Sequence, residues 1–189
     1  GLALDLLEYV PLEDPVRISR LTIRNLGPTR RKLSITGYAE WVLGSSREAT
    51  APFVRTKVDP ETRALFASNS WNPTFAQRCA FIDLAGRQTS WTGDRREFIG
   101  RNGSLALPQA LTNGAKLSGR VGGGLDPCGA LRTSFELAPG ASAELVLFLG
   151  DAADEDAARM LIGRWRGADL DGALAEVRRL TQQRVAPLL

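Results

Sequence analysis

Three carboxylates, Asp94, Glu97 and Asp126, are the residues best placed by type to do chemistry, because each sits among glycines and arginines and not in an apolar pattern. Asp94 and Glu97 belong to residues 92–104. There Arg95, Arg96, Arg101 and Asn102 crowd around Phe98, while Gly93, Gly100 and Gly103 interrupt the run. Asp126 follows Gly122-Gly123-Gly124 and precedes Pro127 and Cys128. Two carboxyls held across a sugar can cleave a glycosidic bond, one as acid and the other as base or nucleophile. The competing account is that Asp94 and Glu97 pair with Arg95, Arg96 or Arg101 and so order a loop. Trp71 and Trp91 could stack on the apolar faces of sugar rings, or serve as core residues of a sheet.

Other chemistries are excluded by what the chain lacks. It has no histidine, which removes Ser-His-Asp and Cys-His catalysis and the commonest metal ligand. A zinc site would have to use two cysteines and carboxylates, so no metal or other cofactor is expected. Cys79 and Cys128 read as buried, reduced thiols, as in a reducing compartment; a disulfide between them stays open as the alternative. The glycine run is no phosphate loop, since neither Gly-Lys-Ser/Thr nor a strand-to-helix step accompanies it. It reads as a tight connection where backbones approach closely. Asn102-Gly103-Ser104 fits a glycosylation acceptor, but Asn-Gly reads better as a turn.

The net charge is +3 and the charges are spread out. The one basic cluster, Arg30-Arg31-Lys32, falls in a turn, and aromatics are not interleaved with basic residues, so no nucleic-acid partner is expected. No apolar run approaches the ~20 residues of a membrane span. Asp5 and Glu8 break any signal-peptide pattern at the start. A chain of 189 residues fits one domain, or one with a small appendage, and buries roughly 70% of its unfolded surface without needing a cross-link.

The elements that must position these residues are mainly strands. In residues 16–24, Val16 and Ile18 share one phase while Leu21 and Ile23 need the other, which predicts a bulge near Ser19 and Arg20. Leu33, Ile35, Gly37, Ala39 and Trp41 alternate with polar residues and predict a half-buried strand. Asp59-Pro60-Glu61-Thr62 predicts a hairpin turn between strands at 53–58 and 63–68. Further strands are predicted at 76–84, 131–137 and 144–149, the last apolar on both faces. Residues 84–131 read as a long irregular region, a feature that is often functional. After Gly150 the period changes. Asp154 caps a helix with the stripe Ala157, Met160, Leu161 and Trp165, and a second helix carries Leu170, Ala173, Leu174, Val177 and Leu180 before Pro187. The pattern is that of a mainly β chain, an antiparallel β-sandwich at 1–150 followed by two C-terminal helices at 151–189.

Several segments together resemble a known family. They are Tyr9-Val10-Pro11-Leu12-Glu13-Asp14-Pro15-Val16, residues 20–25, residues 38–44, residues 93–104, Leu125-Asp126-Pro127-Cys128 and Phe148-Leu149-Gly150. In this order they are similar to the N-terminal β-supersandwich domain of glycoside hydrolase family 94, formerly glycosyltransferase family 36, most of all as found in bacterial cyclic β-1,2-glucan synthases. The resemblance covers residues 9–165. It implies that the sandwich is part of a supersandwich and that the two helices are a linker toward an (α/α)6 barrel. It further implies that the barrel holds the acid, with phosphate attacking the opposite face of the sugar with inversion. No catalytic residue transfers to this chain.

Three readings of function follow. In the first, the chain is a non-catalytic accessory domain of a β-glucan phosphorylase-like module. It supports the (α/α)6 domain of the same parent at the cytoplasmic face of the bacterial inner membrane, and Arg95, Arg96 and Glu97 fix a contact loop. In the second, it is a module binding β-1,2-glucan through Trp91, Arg95, Asn102 and Asp126. In the third, Asp94, Glu97 or Asp126 makes it a hydrolase. A sheet edge left uncovered would also allow a homodimer.

Overall fold

The structure is a computed structural model that describes residues 1–112, 114 and 116–185. Its strands are β1 (Leu2–Tyr9), β2 (Val16–Asn25), β3 (Arg31–Glu40), β4 (Val54–Val58), β5 (Leu65–Asn69), β6 (Cys79–Asp83), β7 (Ser90–Asp94), β8 (Pro127–Leu137) and β9 (Ser142–Ala152). A six-stranded sheet runs β1-β2-β9-β6-β5-β4 and a three-stranded sheet runs β3-β8-β7. All their pairings are antiparallel. Two long helices, α4 (Glu155–Arg166) and α5 (Leu170–Val185), form a third layer, after the single turns α1 (Arg47–Thr50), α2 (Arg95–Phe98) and α3 (Gln109–Thr112).

The larger sheet is the middle layer, which explains its doubly apolar strands. Phe148 of β9 packs with Val16, Ile18, Leu161, Ile162 and Trp165 under the helices. Leu145 of the same strand faces Leu33, Ile35 and Leu137 of the smaller sheet, and Leu147 joins the core around Trp41, Ile82 and Leu131. The phase change in β2 has the same origin. Its register against β1 and β9 is unbroken from Val16 to Arg24, so the bulge predicted at Ser19 and Arg20 is absent. Val16 and Ile18 meet the helices, whereas Leu21 and Ile23 meet the second sheet.

The two sheets touch closely at two glycines. A Cβ on Gly37 would lie 2.6 Å from a Leu147 methyl, and one on Gly129 would lie 2.7 Å from Ile82 and 2.9 Å from the Trp41 ring. The Gly122-Gly123-Gly124 run has a different cause. Gly122 and Gly124 have φ of +132° and +73° with open space where a Cβ would sit, so left-handed backbone, not close approach, selects glycine there.

Asp154 caps α4, its carboxylate accepting from the Ala157 amide at 2.8 Å. The buried stripe is Ala158, Leu161, Ile162 and Trp165, the i, i+3, i+4, i+7 set of one helix face. Met160, placed in the stripe by sequence, is 70% exposed because it lies one position off that face. Each large side chain so buried stabilises the layer by about 2 kcal/mol. Ion pairs add to it, two of them to wholly buried carboxylates. Arg159 Nε donates to Asp59 at 2.8 Å, and Arg166 donates to both oxygens of Asp83 at 2.9 and 2.8 Å. In α5, Leu170, Ala173, Leu174 and Val177 rest on the same cluster. Pro187, predicted to follow the helix, lies outside the described residues.

Candidate functional site

The region read as irregular contains order. Strand β7 runs through Thr92 to Asp94, and residues 119–120 run beside it: the Gly93 amide donates to Arg120 O at 2.7 Å and the Gly119 amide to Trp91 O at 2.8 Å, while the Thr56 amide of β4 donates to Gly122 O at 3.1 Å. β7 escaped recognition because its buried side chains, Ser90, Thr92 and Asp94, are polar. Asp94 ends the strand and caps α2, accepting from the Arg96 amide at 3.0 Å while Arg120 binds its second oxygen at 3.0 Å. At the end of α2, Phe98 and the following Ile99 are buried, and Phe98 stacks on Tyr38 with ring centroids 4.8 Å apart. Gly103 then passes so close to the Ile99 carbonyl that no Cβ would fit.

The loop is therefore ordered by pairing, but with partners the sequence did not single out. Among the described residues Glu97 pairs with no arginine. Its oxygens accept from Thr92 Oγ1 at 2.7 Å, from the Ser118 amide at 2.7 Å and from Ser118 Oγ at 2.6 Å. Arg95 Nε donates to Glu40 at 2.9 Å, and the Arg95 amide donates to Asp126 O at 2.8 Å. Arg47, at the start of α1, binds both Glu40 and Asp126. Two arginines and two carboxylates thus close a ring, with Arg95 Nη1 to Asp126 the longest side at 3.7 Å.

The electrostatics of this ring disfavour acid–base work. Burial alone would raise the Glu40 carboxyl, but hydrogen bonds from Tyr38 and Arg95 and the charge of Arg47 outweigh it and hold Glu40 below the usual range. Burial, then the bond to Glu40, pushes the Tyr38 hydroxyl far up. Burial does the same to the two free thiols, carrying Cys79 to about 12 and Cys128 further.

The remaining sequence candidates scatter. Trp91 packs against the inter-sheet core, with the Arg63 guanidinium 5.8 Å from its ring centroid. Arg96 and Asn102 are exposed, and their side chains make no hydrogen bond among the described residues. Trp71 is 66% exposed and lies flat on Phe53, centroids 4.5 Å apart and planes 9° apart. The capping serine ahead of Arg47 could have exposed α1. Nothing local marks Glu40, Arg120 or Ser118 as partners.

These features define a two-sheet antiparallel β-sandwich domain layered with helices and carrying a charged loop stitched into its own body. The chain belongs to the glycosyl hydrolase 94 supersandwich domain family, whose profile matches residues 1–168. It is 41% identical over 162 residues to the cyclic beta-(1,2)-glucan synthase NdvB of Rhizobium meliloti (strain 1021). That match covers 86% of this chain and 6% of the relative, so the chain spans a small part of that protein's length. Among solved structures, the polysaccharide lyase BACCELL_00875 aligns over 85% of this chain and 21% of its own, at 9% identity and a TM-score of 0.49. Among the described residues no helix is long and apolar enough to cross a membrane.

Proposed function

We propose that this domain is a non-catalytic support for an (α/α)6 catalytic domain of the same parent chain, in a β-1,2-glucan synthase at the cytoplasmic face of the bacterial inner membrane. The sandwich is the body, the C-terminal helices lead toward the barrel, and residues 95–112 are the face that meets it. One observation carries the reading: Glu40, Asp94, Glu97 and Asp126 all hold partners inside the domain, so each already serves to order this end of the sandwich. Beside them the surface is exposed and mixed, with Arg96, Arg101 and Asn102 next to Leu105, Leu107 and Leu111. Apolar anchors rimmed by polar groups, arginine above all, suit an interface between domains. Glucan binding through Trp91, Arg95, Asn102 and Asp126 would ask Arg95 and Asp126 to give up bonds they already make.

Producing the parent's catalytic segment alone and joined to this domain tests the proposal. The joined form unfolds at a higher temperature, and the domain by itself releases no reducing sugar from β-1,2-glucan. Equal unfolding midpoints, or sugar release by the domain alone, contradict it.

A further inference from the structure

A second site lies away from the charged ring, where the β5–β6 connection passes the ends of β5, β6 and β9. A cavity of about 390 Å³ opens there, lined by Leu43, Asn72, Phe75, Arg78, Ala80 and Asp151 among others. That is the size of a small-molecule pocket. Its walls are fixed by short-range bonds. Asn69 donates to Leu43 O at 3.0 Å and accepts from the Trp71 amide at 3.1 Å. Asn72 accepts from the Thr74 amide at 3.1 Å, and the Phe75 and Arg78 amides donate to Asn72 O and Phe75 O at 3.2 and 3.0 Å.

Such a tightly turned connection has no packing need to display aromatics, yet it does. Phe75 is 53% exposed on the cavity wall. Trp71, in the same connection, rests one face on Phe53 and turns the other to solvent. The polar groups are chosen just as narrowly. Arg78 Nε and Nη2 both bind Asp151 Oδ2 at 2.6 Å. Arg78 Nη1, Asp151 Oδ1 and the Asn72 amide nitrogen have no partner among the described residues. An arginine neutralised by its own carboxylate is a poor host for phosphate or another anion. A free acceptor beside a free donor instead matches adjacent hydroxyls, which donate to one and accept from the other. Aromatic faces beside such groups suit the alternating apolar and hydroxylated surfaces of a pyranose.

We infer that this cavity is a binding site for the glucosyl units of a glucan chain, with Phe75 as the platform and Asn72, Arg78 and Asp151 as the hydroxyl-reading groups. The preference for a neutral polyol comes from the cavity; the choice of glucan rests on the proposed function. The test is an amide NMR titration of the 189-residue chain with linear β-1,2-gluco-oligosaccharide. The expected shifts gather at Asn72, Phe75, Arg78 and Asp151. Phe75→Ala, at an exposed position that the core does not use, weakens binding about tenfold, as loss of one stacking platform would. Asn72→Ala weakens it as well, and Arg95→Ala leaves it unchanged. No shift at these residues, shifts confined to Trp91 and Asp126, or binding indifferent to Phe75→Ala would overturn the inference. Failure here leaves the support of the catalytic segment untouched, and loss of that support leaves saccharide binding untouched, so the two claims fail separately.

Discussion

Two of this domain's sets of ion pairs differ in where their carboxylates sit. In the ring of Glu40, Arg47, Arg95 and Asp126, the carboxylate side chains keep a fifth to a third of their surface in water, 33% for Glu40 and 20% for Asp126. In the clamp between the sheet and α4, Asp59 and Asp83 are wholly buried and only their partners, Arg159 and Arg166, reach solvent. A buried carboxylate that loses its cation stays buried and uncompensated, whereas a half-exposed one turns to water. The clamp thus governs whether the helices stay on the sheet. The ring governs the shape of one end of the sandwich and carries little of its stability.

Mutations on the two sides should separate by size. Arg166→Ala strands Asp83, which keeps bonds only from the Gly86 amide and Gln88, and should cost about 3 kcal/mol in urea unfolding. Arg159→Ala should cost less, because Arg159 supplies Asp59 with one hydrogen bond where Arg166 supplies Asp83 with two, and each carboxylate keeps two others. A loss below about 1 kcal/mol for Arg166→Ala would erase the contrast.

Acid should weaken both regions together. Burial opposes ionisation of Asp59, but the Thr62 bonds and Arg159 outweigh it and depress its carboxyl, as happens to Glu40. Both carboxyls are depressed in the folded state, so their contribution is present above the ordinary carboxylate range. It is lost as pH falls below about 4 through the folded values. A urea midpoint unchanged between pH 6 and pH 3 would contradict this.

In the ring itself, Arg95→Ala should cost no more than about 1 kcal/mol, since Arg47 still bridges Glu40 and Asp126. A larger loss would place the ring with the clamp. The smallest effect concerns the thiols. Both are buried and raised, so they should ignore a thiol reagent until the chain unfolds. They should also withdraw a little stability as pH rises past about 8.5, where the unfolded thiols ionise first.

The same contrast explains what could be read from the sequence. Strand β3 was legible because one face is core and the other polar, the arrangement that alternation reports. The sequence β2 gives looks like an error of phase, because its two ends are covered by different layers. In α4 the cap at Asp154 was plain, and Ala157, Leu161 and Trp165 do pack on the core, but Met160 was wrongly drawn into the stripe, since an apolar side chain one position off the face reads the same in sequence. The family resemblance was legible in its motifs. The ring was not: Arg95 meets a residue 55 positions away and Arg47 one 79 positions away, separations that only the fold closes. The cavity beneath Phe75 escaped for the same reason, with Arg78 and Asp151 drawn together from positions 73 apart.

The central claim is that residues 95–112 form a finished contact face and not an unfinished active site. An amide NMR titration of this chain with the parent's catalytic segment tests it most directly. The account predicts saturable shifts at Arg96, Arg101, Asn102, Leu105 and Leu107, with the clamp around Asp83 and Arg166 unmoved. Shifts absent from that face, or appearing there with β-1,2-glucan in place of the protein, would contradict it.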